Sequence, residues 1–192
     1  MTVILNLMSN QYIPKFAYVD AQNFESYFRY AYSKYINFRS LFMYLKKTRN
    51  VDKVFIFIKN ITKKERIIEF KAIGYEVIKC ECKDERGSYN IDTDLVITAV
   101  EEFFVTQKHD ILLMSGDGDF LPLLKFYEDY NCYTEIIGPS KKEGVNNQGR
   151  PTSGKLIYIK NANGILENRK TISYYDEIAI AIPSLYQGNV RL

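Results

Sequence analysis

The sequence predicts an α/β fold with a mainly parallel central sheet flanked by helices. Three observations carry this. Apolar runs of strand length alternate with segments of helical period along most of the chain, the trace that a parallel sheet with helical crossovers leaves in a sequence. At 192 residues, 46% of them apolar and 26% charged, the chain is long enough for one domain with a sizeable core. The notable aspartates fall singly at the ends of apolar runs, and a parallel sheet collects such positions on one edge.

Each element follows from its residues. "KFAYVD" (15–20) is the first strand and ends on Asp20. "NFESYFRYAYSKYINFRSLFMYLKK" (23–47) has aromatic and aliphatic residues at helical spacing and reads as two helices broken near Asn37. "DKVFIFIK" (52–59) is a buried strand, "KKERIIEFKAIG" (63–74) a helix stopped by Gly74, and "YEVIKCEC" (75–82) a third strand. In "IDTDLVITAVEEFFVTQ" (91–107), apolar residues at 95, 96, 99, 100, 103 and 104 form the stripe of a core-facing helix. "DILLMS" (110–115) is a strand, "DFLPLLKFYEDYN" (119–131) a helix and "CYTEIIG" (132–138) the next strand. From Gly138 to Lys155 the chain is polar and glycine-rich with four cations, which makes it a loop. "LIYIKNANGILEN" (156–168) reads as a short helix and strand, and "YYDEIAIAIPSLYQGNVRL" (174–192) as an apolar tail docked on the body.

Composition narrows the setting. No apolar stretch reaches the roughly 18 residues of a membrane helix, and the amino terminus lacks the basic start and small-residue cleavage site of a secretory signal. Three cysteines, Cys80, Cys82 and Cys132, make no disulfide framework. A reducing, cytoplasmic compartment is expected, with no membrane partner. Zinc held by these cysteines and His109 is disfavoured, because no C-x-x-C pair exists; His109 reads as an ordinary loop residue. The net charge is only +3, yet cations gather in "YLKKTRN", "KNITKKER", "CKDERG" and "PSKKEG". That separation resembles an acidic site inside a basic rim.

The acids are the functional signal. Asp20 ends the first strand, Asp117 and Asp119 follow "DILLMS", and Asp92 opens the helix after "YEVIKCEC", so all four share the carboxyl edge. Carboxylates brought together either take up protons or bind a hard cation, and an oxygen-only set without histidine favours magnesium or manganese. The bland alternative is local. Asp92 and Asp119 precede helical runs, where aspartate is a favoured N-cap, Asp20-Ala-Gln-Asn23 suits a capping turn, and Gly116 and Gly118 suit a plain turn. Capping leaves Asp117, an extra acid between two glycines, unexplained.

Together "YVDAQNF", "NIDTDLVITAV" and "LLMSGDGDFLPLL" resemble the NYN domain family of PIN-like nucleases, the LabA-like group included. The resemblance implies a three-layer PIN-like fold over residues 15–167, between an N-terminal extension (1–14) and the C-terminal tail (168–192). It also implies a ribonuclease that uses Mg²⁺ or Mn²⁺ to hydrolyse phosphodiester bonds of RNA, single-stranded by preference. Its catalytic and metal-holding residues are Asp20, Asp92, Asp117 and Asp119, supported by Asn23 and Ser115. Two departures stand out. Thr98 occupies the place, six residues after Asp92, where relatives commonly carry another aspartate, and "SYN" precedes Ile91-Asp92 where they carry lysine or glycine. Asp94 is a candidate to compensate, but two residues along a helix is about 200° around its axis, which is expected to face it elsewhere. These departures keep open a weak or inactive module that binds RNA or a protein.

Candidate phosphate contacts are Lys83, Arg86, Lys141, Lys142, Arg150 and Lys155, since backbone charge dominates nucleic-acid affinity. The aromatics interleaved with cations in "YFRYAYSKYINFRSLFMYLKK" suit base stacking, but their spacing fits a core or a homodimer face better. "GDGDF" also resembles the turn of haloacid-dehalogenase-like phosphatases; that family needs D-x-D after its first strand, and "VDAQN" lacks the second aspartate.

Overall fold

Five of the apolar runs become adjacent strands, joined by a sixth from the carboxyl-terminal region. The structure is a computed structural model that describes residues 12–59, 61–83, 85, 87, 89–139 and 170–187. β1 (Lys15–Asp20) leads to α1 (Ala21–Tyr32), the two-residue β2 (Tyr35–Ile36) and α2 (Phe38–Thr48). β3 (Lys53–Lys59), α3 (Lys64–Ile73) and β4 (Glu76–Cys80) follow. Next come α4 (Ile91–Val105), β5 (Asp110–Met114), α5 (Leu121–Asp129) and β6 (Thr134–Gly138). The carboxyl-terminal region supplies β7 (Lys170–Tyr174), α6 (Tyr175–Ala181) and β8 (Tyr186–Gln187).

The main sheet has the order β4-β3-β1-β5-β6-β7, and every pairing in it is parallel. The chain builds outward from β1 to β4, then crosses back to β5. Strand order therefore reverses between β1 and β5, where a crevice opens beyond the carboxyl ends. Alternate residues of β1 feed two cores: Ala17 and Val19 pack with residues of α1, α2, α3 and α6, Phe16 and Tyr18 with those of α4 and α5. Helices thus cover both faces, giving three layers.

Capping explains the boundaries. Asn37 accepts Ser40 N–H at 3.2 Å and starts α2, which is why the long aromatic segment breaks there. Gly74 ends α3 in the left-handed region, φ +117°, where other residues are strained. The stripe of α4 is narrower than its sequence suggests: Ile91, Leu95, Ala99 and Phe103 are buried, whereas Phe104 is 61% exposed. Two pairings are invisible to local periodicity. β2 pairs antiparallel with β8, and β7 adds a parallel strand beside β6, inside the stretch read as tail. The expected helix and strand at 156–168 lie outside the described residues. Among the described residues, no helix is long and apolar enough to cross a membrane.

At the amino end of the sheet two buried polar groups tie strands to helices. Glu135 of β6 is ion-paired with both Lys15 and Arg49, and burial, then Arg49, holds the Lys15 ammonium below its usual range. His109 is fully buried, so the reading of it as an ordinary loop residue is corrected. Its Nε2 meets the hydroxyls of Tyr18 (2.9 Å) and Tyr127 (2.7 Å), and its Nδ1 meets Thr106 Oγ1 (3.1 Å). Thr106 donates its own hydrogen to the Glu102 carbonyl (2.7 Å). Its oxygen therefore accepts from Nδ1–H, and Nε2 is left to accept from tyrosine. Burial pushes the imidazole down to about 4, so it is neutral at physiological pH.

Candidate metal centre

Three local structures, the end of one strand, the start of one helix and one turn, bring Asp92, Asp117 and Asp119 together at the crevice with Asp20 beside them. Asp20 is the last residue of β1 and caps α1 by accepting Asn23 N–H at 2.9 Å. Asp92 lies in the first turn of α4, whose cap is Asn90, accepting Thr93 N–H at 3.3 Å. Asp117 caps a short 3₁₀ turn, Gly118–Phe120, by accepting Asp119 N–H at 3.2 Å. Asp119 follows inside that turn. The capping roles are thus distributed differently from the expectation: Asn90 and Asp117 cap, while Asp92 and Asp119 do not.

One carboxylate oxygen from each of Asp92, Asp117 and Asp119 lies within 4.8 Å of the others, and among the described residues this is the one group of three or more potential ligands so gathered. Asp20 and Asp117 are buried and Asp119 is exposed, so the group opens to solvent on one side. Burial above all, then the charges of Asp92 and Asp117, pushes the Asp20 carboxyl up to about 7 against the pull of the Asn23 and Gln22 N–H groups. Carboxylates converging on one point, in a donor set of oxygens only, suit a hard divalent cation.

The supporting residues fix the turn that carries Asp117. Ser115 is buried and its Oγ accepts Asp117 N–H at 3.2 Å. Asn23 Oδ1 accepts Gly116 N–H at 3.4 Å. Gly116 has a steric reason to be glycine: a Cβ there would collide with the ring of Pro139. Asp94 is engaged elsewhere, accepting Cys82 N–H at 3.2 Å. Thr98, half-buried, lies one turn beyond Asp94 on the same flank of α4, across the buried line of Ile91 and Leu95 from Asp92. Burial, then Asp94 and Asp20, pushes the Cys80 thiol up to about 12, so it is no nucleophile.

Of the expected phosphate contacts, Lys83 is exposed in the β4–α4 connection, its ammonium 5.2 Å from the Tyr89 ring centroid. Arg86, Lys141, Lys142, Arg150 and Lys155 lie outside the described residues. Lys59 was missed. It ends β3, paired with Cys80 and two residues past the partner of Asp20, a placement legible in the sequence from its position at the end of an apolar run. Of the helical aromatics, Phe24 and Phe28 are core, and the Tyr27 and Tyr32 hydroxyls bond Asp176. They form a packing face.

The sequence pattern of the NYN domain matches residues 16–150 of the chain. The crystal structure of a protein of unknown function from Vibrio parahaemolyticus RIMD 2210633 shares the fold with a TM-score of 0.61 at 21% sequence identity, over 88% of this chain and 98% of that one. No curated protein matches the chain. The architecture is the three-layer PIN-like one, with the acidic group at its switch point.

Proposed function

We propose, from the premise that the chain belongs to the NYN domain family, that it is a divalent-metal-dependent ribonuclease acting on phosphodiester bonds of single-stranded RNA. NYN domains are in general nucleases, and the single observation that carries the reading here is the convergence of Asp92, Asp117 and Asp119 within 4.8 Å. These three would hold Mg²⁺ or Mn²⁺, with Asp20 beside them. When bound, such an ion lowers the pKa of a water and stabilises charge on the phosphoryl oxygens and the leaving group. The chain's own residues prepare the place. Asp20, its carboxyl pushed up to about 7 chiefly by burial, favours a proton in the metal-free protein and would give it up to a bound cation. Ser115 and Asn23 hold the turn that aims Asp117. Lys59 and Lys83 stand at the same edge to contact the RNA backbone, and Arg86, Lys141, Lys142, Arg150 and Lys155 are proposed for the same role.

The test is cleavage of end-labelled single-stranded RNA in Mg²⁺ or Mn²⁺. Cleavage that disappears with chelator and in Asp117→Asn, with melting temperature retained, supports the reading; hydrolysis of small phosphoesters instead would favour a phosphatase. A second reading rests on Thr98, which stands where relatives commonly carry an acid: a module that binds RNA without cutting it. RNA retained on the protein with no cleavage at any metal concentration would decide for that module.

A further inference from the structure

We infer that Tyr175, beyond the 16–150 family match, is a positioning residue for the acidic centre, acting through Asn23. The inference rests on the nuclease reading of that centre. Tyr175 opens α6 and is fully buried. Its hydroxyl donates to Asn23 Oδ1 at 3.1 Å, and the same oxygen accepts Gly116 N–H at 3.4 Å. Gly116 immediately precedes Asp117, while the backbone N–H of Asn23 holds Asp20 Oδ1 at 2.9 Å. One residue of α1 therefore touches two of the three acid-bearing segments, those of Asp20 and Asp117, and Tyr175 fixes its side chain.

The chemistry makes this link directional. Gly116 N–H is only a donor, so the amide of Asn23 has to present oxygen to it; turned over, it would set NH₂ against N–H. A phenol hydroxyl at the same oxygen completes that orientation, and a fully buried phenol needs such a partner. The ring is held in turn by Phe24 at 4.8 Å and Tyr27 at 5.2 Å between centroids. The carboxyl-terminal segment thereby reaches the metal-holding turn through two hydrogen bonds and completes a site whose acids all lie upstream.

The experiment compares Tyr175→Phe, Asn23→Ala and the double variant with Tyr27→Phe, which removes a hydrogen bond to Asp176 of α6 and leaves Asn23 untouched. Gly116 amide exchange is read by NMR in metal-free protein, Mn²⁺ affinity by the paramagnetic signal of the free ion, and kcat and KM on single-stranded RNA across Mn²⁺ concentrations. Tyr175→Phe is expected to speed Gly116 exchange and weaken Mn²⁺ binding about tenfold, the low end for groups that orient metal ligands. KM stays constant and saturating Mn²⁺ restores kcat. Adding Tyr175→Phe to Asn23→Ala should cost nothing more. Wild-type exchange and affinity in Tyr175→Phe, equal losses in Tyr27→Phe, or additive losses in the double variant would each overturn the inference. Should Tyr175→Phe not fold, Asn23→Ala breaks the same link, and unchanged Gly116 exchange in it is equally fatal. Absence of cleavage by the wild-type chain would sink the nuclease reading alone, because exchange at Gly116 still decides this one.

Discussion

The two edges of the sheet treat buried acids in opposite ways. At the amino edge, Glu135 sits between Lys15 and Arg49, so the fold itself supplies the opposite charge. At the carboxyl edge acids face acids: Asp92, Asp117 and Asp119 converge, and their neighbour Asp20 is pushed up to about 7. A buried charge held by its countercharges is part of the scaffold. Like charges gathered in a crevice work against the scaffold, the cost on which the proposed metal site rests. The contrast predicts that neutralising an acid at one edge destabilises the protein and at the other stabilises it.

The largest effect is expected at Glu135. Glu135→Gln leaves Lys15 and Arg49 without their shared carboxylate; both cations keep some solvent access, so the loss is about 3 kcal/mol, the lower end for breaking a buried pair. Urea unfolding measures it. A change within about 0.5 kcal/mol, ordinary for a surface substitution, would mean that this network is solvated and that the contrast fails.

Next comes acid. His109 is buried neutral with its imidazole down to about 4, against roughly 6.5 when unfolded. A lowered folded pKa means that the unfolded chain binds more protons between those values, so stability falls as pH drops from about 6.5 to about 4, by up to about 3 kcal/mol. The slope should flatten in His109→Gln by that amount; parallel wild-type and variant curves would show that His109 is already protonated in the fold. Asp20 has the opposite sign. Its raised carboxyl makes the folded state bind the extra proton, so metal-free stability falls as pH rises from about 4 to about 7. Asp20→Asn, which keeps an oxygen to cap α1, should therefore stabilise the metal-free protein at pH 8 by on the order of 2 kcal/mol. It should also abolish stabilisation by Mn²⁺. A destabilised Asp20→Asn would place Asp20 among the structural acids, with Glu135.

Local pattern and its limits explain what the sequence disclosed. Strands β1, β3 and β5 are near-continuous apolar runs because both of their faces are covered, and that signal needs no partner to be read. Parallel topology then carries Asp20 and Asp117 to one edge before any side chain is placed. What stayed hidden depends on distant residues. The short pairing of Tyr35–Ile36 with Tyr186–Gln187 spans nearly the whole chain. His109 finds Tyr18 at a separation of 91 residues, and nothing in "QKHDIL" announces that it is buried. Asn23 reads correctly as a neighbour of Asp20, but Tyr175 is 152 residues away from it. The capping alternative holds for Asp20, which caps α1, but not for Asp92: Asn90, just ahead of Ile91-Asp92, is as good a cap as aspartate, and with Asn90 in place Asp92 is released for the crevice.

The smallest expected effect separates a direct ligand from a distant charge at the carboxyl edge. Thr98 shares a flank of α4 with Asp94, and Asp92 lies on the other side of the buried line. Six residues along a helix is about 120° around the axis from Asp92 and about 9 Å along it. A carboxylate at 98 would thus deepen the negative field over the crevice without joining the group of three. Thr98→Asp is expected to lower the Mn²⁺ concentration for half-maximal cleavage by about threefold, roughly 0.7 kcal/mol, and to leave kcat at saturating metal unchanged. The gain should shrink in high salt, because a through-solvent charge is screened and a bound ligand is not. A gain of tenfold or more that survives high salt would show that position 98 reaches the ion directly, and that the flank on which Thr98 lies is part of the centre.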